Sequence, residues 1–326
     1  MFRIRLFAVS VCMMFGLAGY AQQEIQITHF MFNQLSFNPA YAGVKEAICT
    51  NILARQQWVG FTDGEDKVNP QTNLFTVDAA IKRINSGIGV TFLTDKLGFE
   101  ENMQVRLNYS YMFNLGLGRM SIGASVGMLN KTIDFSKFKP IDVNDPLLVS
   151  QGKESDMMLD FAFGAYYNVQ GQYYVGISSS QLSEADFQAA LTDVPYSLKR
   201  HYYLVGGYYY ELPNPSWAIN PNLLLKSDFG STQIDLNVLG IYNNKYWGGI
   251  SYRAYDAVAV MLGAYPFNAG GLENLRAGYS YDVTTSQLGR GGRSSGSHEV
   301  YLNYCFNIVI VKPKSSYSNI RYLPTL

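Results

Sequence analysis

Residues 298–310 constrain the fold more than any other stretch of this chain. Val300, Leu302, Tyr304, Phe306, Ile308 and Ile310 fall on one side; Glu299, Tyr301, Asn303, Cys305 and Asn307 fall on the other. Successive side chains of a strand point to opposite faces, so the segment has an apolar face and a polar one. Its length decides what that means. Globular strands usually run about 5–6 residues, whereas a tilted strand needs about 9–11 to cross a bilayer. A strand of this length with one oily face suits a wall that faces lipid.

The same two-residue period recurs along the chain. It predicts strands over 46–55, 71–80, 86–93, 102–113, 119–133, 158–168 and 172–179. It predicts more over 201–211, 217–227, 232–242, 245–252, 256–265, 272–281 and 298–310, about fourteen in all. In the clearest, Met103, Val105, Leu107, Tyr109, Tyr111 and Phe113 oppose Asn102, Gln104, Arg106, Asn108 and Ser110. Residues 256–265 are apolar on both faces, so their inner face is a candidate to touch a plug.

The connections alternate too. Those at 82–85, 114–118, 169–171, 212–216, 243–244 and 266–271 are tight and rich in Gly, Pro and Asn, whereas 56–70, 134–156, 180–200 and 282–297 are long. Short turns on one rim and long loops on the other is the outer-membrane pattern, with the short turns in the periplasm. Two connections expected to be long, at 227–231 and 253–256, are short, which puts those strand pairs in question. The fold expected is all-β: a transmembrane antiparallel β-barrel. Helices and closed barrels alone satisfy every backbone group in lipid, and no stretch after the first residues approaches a spanning helix. An even strand count puts both termini on the periplasmic rim and the loops 134–156 and 180–200 outside the cell.

Residues 1–21 read as a signal peptide, with Arg3 and Arg5 before an apolar run and Gly19 and Ala21 before the cut. The protein is therefore expected in the outer membrane. Residues 22–45 break the pattern and read as a short helix or irregular segment folded into the barrel mouth, plug-like or periplasmic, with an ordinary linker as the plain alternative. The barrel then spans 46–310, and 311–326 form a periplasmic tail. Charged residues make up 15% of the chain, against about 25% in soluble domains, and the formal net charge of +0 argues against nucleic acid. Cys49 and Cys305 could pair if the first and last strands adjoin; two separate small strand residues are the simpler expectation.

Little in the chain suggests chemistry. His29, His201 and His298 have no Cys/His spacing for zinc. Residues 289–293 are a Gly/Arg loop before a strand, not a phosphate loop. Asp142, Asn144 and Asp145 lack the glycine and closing glutamate of a calcium loop. Asp282, His298 and Glu299 could be imagined as an acid–base set, but adjacent strand residues point to opposite faces. Glu299 is expected inside the barrel and His298 at the interface. Arg55, Arg106, Lys226, Asp235 and Arg276 should also face inward, because an outward charge at the midplane costs about 2–4 kcal/mol. No catalytic residue, cofactor or metal is expected, and an enzyme is not.

Several stretches together resemble the PorP/SprF family of outer-membrane proteins. Phe32-Asn33-Gln34, followed by Asn38-Pro39-Ala40-Tyr41-Ala42-Gly43, is similar to its N-terminal signature. Ala277-Gly278-Tyr279-Ser280-Tyr281-Asp282 and then Gly296-Ser297-His298-Glu299 are similar to its C-terminal one. The tail 318–323 looks like the family's ending, with Ile320 where Pro is common. The resemblance implies a barrel similar to the fatty-acid transporters, working in the type IX secretion and gliding-motility machinery. It implies outer-membrane lipid, a secreted surface adhesin and a periplasmic secretion-ring or peptidoglycan-binding component as partners. The matched residues Asn38, Pro39, Tyr41, Gly43, Tyr281, Asp282, Gly296, His298 and Glu299 would be structural. A transporter for hydrophobic small molecules is the rival expectation.

Overall fold

Alternation of apolar and polar residues produces a closed antiparallel wall in the computed structural model, which describes residues 24–64, 66–138, 152–188, 197–265, 274–286 and 294–306. We number the wall strands β1 to β14 in chain order. The first seven are β1 (Ile48–Gln56), β2 (Gln71–Ile81), β3 (Ser86–Leu97), β4 (Glu100–Leu115), β5 (Gly118–Asp134), β6 (Lys153–Val169) and β7 (Tyr173–Ser180). The second seven are β8 (His201–Tyr208), β9 (Trp217–Ser227), β10 (Thr232–Tyr242), β11 (Tyr246–Arg253), β12 (Ala257–Ala264), β13 (Leu275–Thr284) and β14 (Ser297–Phe306). Tyr210–Glu211 continues the line of β8 along β9. Each strand pairs with its sequence neighbours, and β1 pairs with β14, so the sheet has no free edge.

The pattern of exposure follows the pleat. On β4, Met103, Val105, Leu107, Tyr109, Tyr111 and Phe113 are exposed, while Gln104, Arg106, Asn108 and Ser110 are buried. Val300, Leu302 and Phe306 are exposed on β14, while Glu299, Tyr301 and Asn303 are buried. Large apolar side chains on the outside and polar ones within is the reverse of a soluble protein, and it is what lipid as solvent requires. No helix among the described residues is long and apolar enough to cross a membrane.

Three details correct the sequence reading. The tight connections after Ser227 and Arg253 do not disrupt pairing, since β9 pairs with β10 and β11 with β12 in register. Strands β5 and β6 reach Asp134 and start at Lys153, absorbing the ends of the loop expected at 134–156. Cys49 and Cys305 lie opposite one another on β1 and β14 and are joined by a disulfide, against the simpler expectation of two separate cysteines. The alternation could not reveal this, because it gives each strand's faces but not the register between the chain's two ends. The last strand is described to Phe306; 307–310 and the stretches expected to be a signal peptide (1–21) and a tail (311–326) lie outside the described residues.

The largest correction concerns residues 24–45. They form no α-helix but three 3-10 turns, Phe30–Phe32, Gln34–Ser36 and Pro39–Tyr41. Nor do they stop at a mouth. Glu24 sits beside Ser180 and Gln181 at the long-loop end of β7, and Lys45 lies beside Cys305 at the short-turn end of β14. The chain therefore enters at the rim opposite the one expected and runs the length of the barrel before β1 begins. An even strand count fixes only where the wall's own ends lie, not where a segment ahead of it begins.

Candidate functional site

The contact between residues 24–45 and the inner wall concentrates the polar chemistry of the molecule. The segment belongs to no sheet, so its main-chain groups need partners from elsewhere. The wall supplies them. The Lys226 ammonium donates to the Ile25 carbonyl at 3.1 Å, and Arg106 donates to that of Ser36 at 3.3 Å. The hydroxyls of Ser178, Ser121 and Ser110 donate to the carbonyls of Phe37, Ala40 and Ala42 at 2.8, 2.6 and 2.7 Å. The Gly43 N–H donates to Asp78 at 2.9 Å. Close approach matters as much: a Cβ on Gly123 would lie 2.4 Å from the Ala40 nitrogen.

Asn38 joins the segment to the wall in both directions. Its amide nitrogen donates to the carbonyls of Ala165 and Ile177 at 3.0 and 3.2 Å. Its oxygen accepts from the Ala40 N–H at 2.9 Å, capping the turn that Pro39 opens. Tyr41 packs edge-on against Tyr166, with centroids 5.3 Å apart. Gly43 has φ +72, a conformation open to glycine at little cost.

A charged cluster closes the long-loop half of the lumen. Arg55 bridges Asp282 at 2.7 Å and Glu299 at 3.1 Å. Arg253 reaches Asp282 at 3.2 Å and Asp235 at 3.4 Å. With Lys226, the buried charges number three of each sign: Arg55, Arg253 and Lys226 against Asp235, Asp282 and Glu299. The segment completes the cluster. Glu299 accepts from the Thr28 N–H (2.9 Å), the His29 N–H (2.8 Å) and His29 Nδ1 (2.6 Å), which fixes the imidazole proton on Nδ1. The Thr28 hydroxyl donates to Asp282 and accepts from Arg55. Buried charges this well paired hold a structure in one arrangement, because losing one partner strands the others. A second pair, Arg106 with Asp160 at 3.0 Å, sits in the adjoining part of the lumen.

Apolar groups fill the remaining space. Ile27, Phe30, Leu35 and Phe37 of the segment pack against Leu53, Leu224, Leu239 and Met261 of the wall. Met261 is one of three inward residues, with Ala257 and Ala259, on the strand that is apolar on both faces. The His29 ring stacks on Tyr301 at 5.5 Å and meets the edge of Trp247 at the same distance. At the short-turn rim Arg276 lies over Phe32 and bonds to the Tyr265 hydroxyl.

The C-terminal signature residues fall into two groups. Asp282 and Glu299 face inward into the cluster, with Glu299 fully buried. Tyr281 and His298 face the other way: the Tyr281 hydroxyl donates to the Ser295 carbonyl at 2.8 Å, and His298 Nδ1 lies 2.7 Å from the Tyr279 hydroxyl. Gly296, with φ +91, turns the chain into β14. Arg55, Arg106, Lys226 and Asp235 are all buried. Sequence reasoning missed Thr28, Asp160 and Arg253. Strand parity would have found two of them: Asp160 shares a face with Met158 and Ala162, and Arg253 with Ser251. Asp142, Asn144, Asp145 and 289–293 lie outside the described residues. Among the described residues no group of three or more His, Cys, Asp or Glu is placed to hold a metal. Beyond the lumen, Trp58, Phe61, Val68, Leu97 and Phe99 line a shallow apolar cleft of about 420 Å³ near the long-loop rim.

Comparison with known proteins places this geometry in context. The family described as "Type IX secretion system membrane protein PorP/SprF" matches residues 19–304. No curated protein matches. Among solved structures, the CymD monoaromatic hydrocarbon channel is 10% identical, with 89% of this chain and 96% of that chain covered and a TM-score of 0.48. A Pseudomonas aeruginosa FadL homologue is 11% identical, covering 84% and 94%, with a TM-score of 0.46. Acinetobacter baumannii Omp33 is 7% identical, covering 80% and 99%, with a TM-score of 0.44.

Proposed function

Since the chain belongs to the PorP/SprF family of type IX secretion system membrane proteins, we propose that it is a non-enzymatic outer-membrane component of that machinery which holds partners at its two rims. On the extracellular side it supports export or surface attachment of a secreted adhesin through the loops 135–152 and 181–200. On the periplasmic side the tail 311–326 docks a secretion-ring or peptidoglycan-binding component. Residues 24–45 act as a plug. One observation carries the reading: the segment occupies the lumen from rim to rim, held by the wall through its main chain and its charges. A barrel filled in this way is suited to holding and docking rather than to conduction.

A transporter for hydrophobic molecules would need an apolar lumenal pocket of about 300–1,000 Å³. The apolar residues that would line one, among them Leu224, Leu239 and Met261, are covered by Ile27, Phe30 and Leu35 instead. The test is co-purification. Deleting 311–326 is expected to abolish recovery of periplasmic partners and to leave the barrel intact. Shortening the loop 181–200 is expected to reduce surface retention of the adhesin. Unchanged recovery and retention would overturn the proposal.

A further inference from the structure

The direction of residues 24–45 through the barrel has a consequence for topology. The two ends of the segment touch opposite rims of the wall, Glu24 the long-loop rim and Lys45 the short-turn rim. Glu24 meets Ser180 and Gln181 at the end of β7, and Gln26 meets Lys226 near the end of β9 and Gln233 near the start of β10. These strand ends all adjoin the connections that alternate with the short turns. Thr28 and His29 meet Arg55, Asp282 and Glu299, near the same ends of β1, β13 and β14. Asn38 reaches the carbonyls of Ala165 and Ile177, further along the barrel. Ala40 and Ala42 meet Ser121 and Ser110, near the short turn between β4 and β5. Gly43 meets Asp78 near the turn between β2 and β3. Between its two ends the segment folds on itself: Phe32 lies under Arg276 near the short-turn rim, and Ser36 and Phe37 return to Arg106 and Ser178 before Gly43 descends again.

We infer that the chain ahead of Glu24 leaves the lumen on the extracellular side, so that the mature N-terminus is displayed at the cell surface among the long loops. The inference rests on reading the short-turn rim as periplasmic. It adds an element to the proposed adhesin-binding surface: a chain end beside Gln181, where β7 passes into the long connection to β8.

The test uses the full chain in intact cells. A short hydrophilic epitope is inserted between Gln23 and Glu24. Reference epitopes are placed beside Ser183, on the long-loop rim, and beside Arg83, in the turn between β2 and β3. The expected result is that antibody reaches the Gln23 and Ser183 epitopes in intact cells and the Arg83 epitope only after the outer membrane is opened. Antibody reaching Ser183 but not Gln23 in intact cells would overturn the inference and leave the barrel's orientation standing. Antibody reaching Arg83 but not Ser183 would overturn the orientation and the inference together. If the Gln23 insertion prevents folding, Gln23→Cys with a membrane-impermeant maleimide gives the same comparison. Labelling of at least half the Ser183→Cys level in intact cells supports display, and labelling near the Arg83→Cys level refutes it.

Discussion

Glu299→Ala is the sharpest test of the claim that the wall holds the N-terminal segment through charge. The carboxylate is fully buried and accepts from Arg55, from His29 Nδ1 and from the main-chain N–H groups of Thr28 and His29. Alanine leaves Arg55 with Asp282 and the Thr28 hydroxyl, and strands two buried main-chain donors and a buried imidazole. Removing one partner of a buried ion pair costs about 3–5 kcal/mol. Glu299→Gln keeps an oxygen for part of the set, and its cost should be nearer that of hydrogen bonds to a charged group, about 1.5–3 kcal/mol. Denaturant unfolding in detergent micelles, followed by tryptophan fluorescence, measures both, because Trp247 lies against His29. Glu211→Ala, at an exposed position, serves as the control and should stay within about 0.5 kcal/mol of the parent. A double-mutant cycle with His29→Ala should show a coupling of about 0.5–3 kcal/mol. Glu299→Ala matching the Glu211→Ala control, or a coupling near zero, would refute the reasoning.

Other outcomes follow from the same geometry. Leu107→Arg places a charge on the lipid face of β4 and should destabilise the barrel by about 2–4 kcal/mol in vesicles, measured by urea titration. Cys49→Ser should cost about 2–5 kcal/mol, and the parent protein should resist thiol alkylation until reduced, as read by mass spectrometry. Gly43→Ala meets both a left-handed backbone and the Cα of Gly87 at 2.8 Å; a loss of at least about 1–2 kcal/mol is expected in the same unfolding assay.

The wall was legible in the sequence because lipid imposes a simple rule. Every outward side chain must be apolar over a membrane-length strand, and parity then assigns each remaining residue to the lumen. Arg55, Lys226 and Glu299 could be placed inward on that ground alone. Residues 24–45 were not legible in the same way. They have neither period, and their conformation is dictated by wall residues up to 271 positions away, as between Thr28 and Glu299. Nothing local in Thr28 or His29 marks them as partners of β13 and β14. The disulfide was hidden for a related reason: register between the first and last strands is a property of the closed sheet, not of either segment.

The bond between Cys49 and Cys305 ties together positions 256 apart in sequence, and nearly the whole wall lies between them. The polypeptide between those two atoms is therefore a covalent hoop. A pull on the chain beyond β14, or on the chain ahead of β1, is taken up by that bond before it reaches the hydrogen bonds of the first and last strands. A cylinder hooped at its seam resists being unzipped from either end.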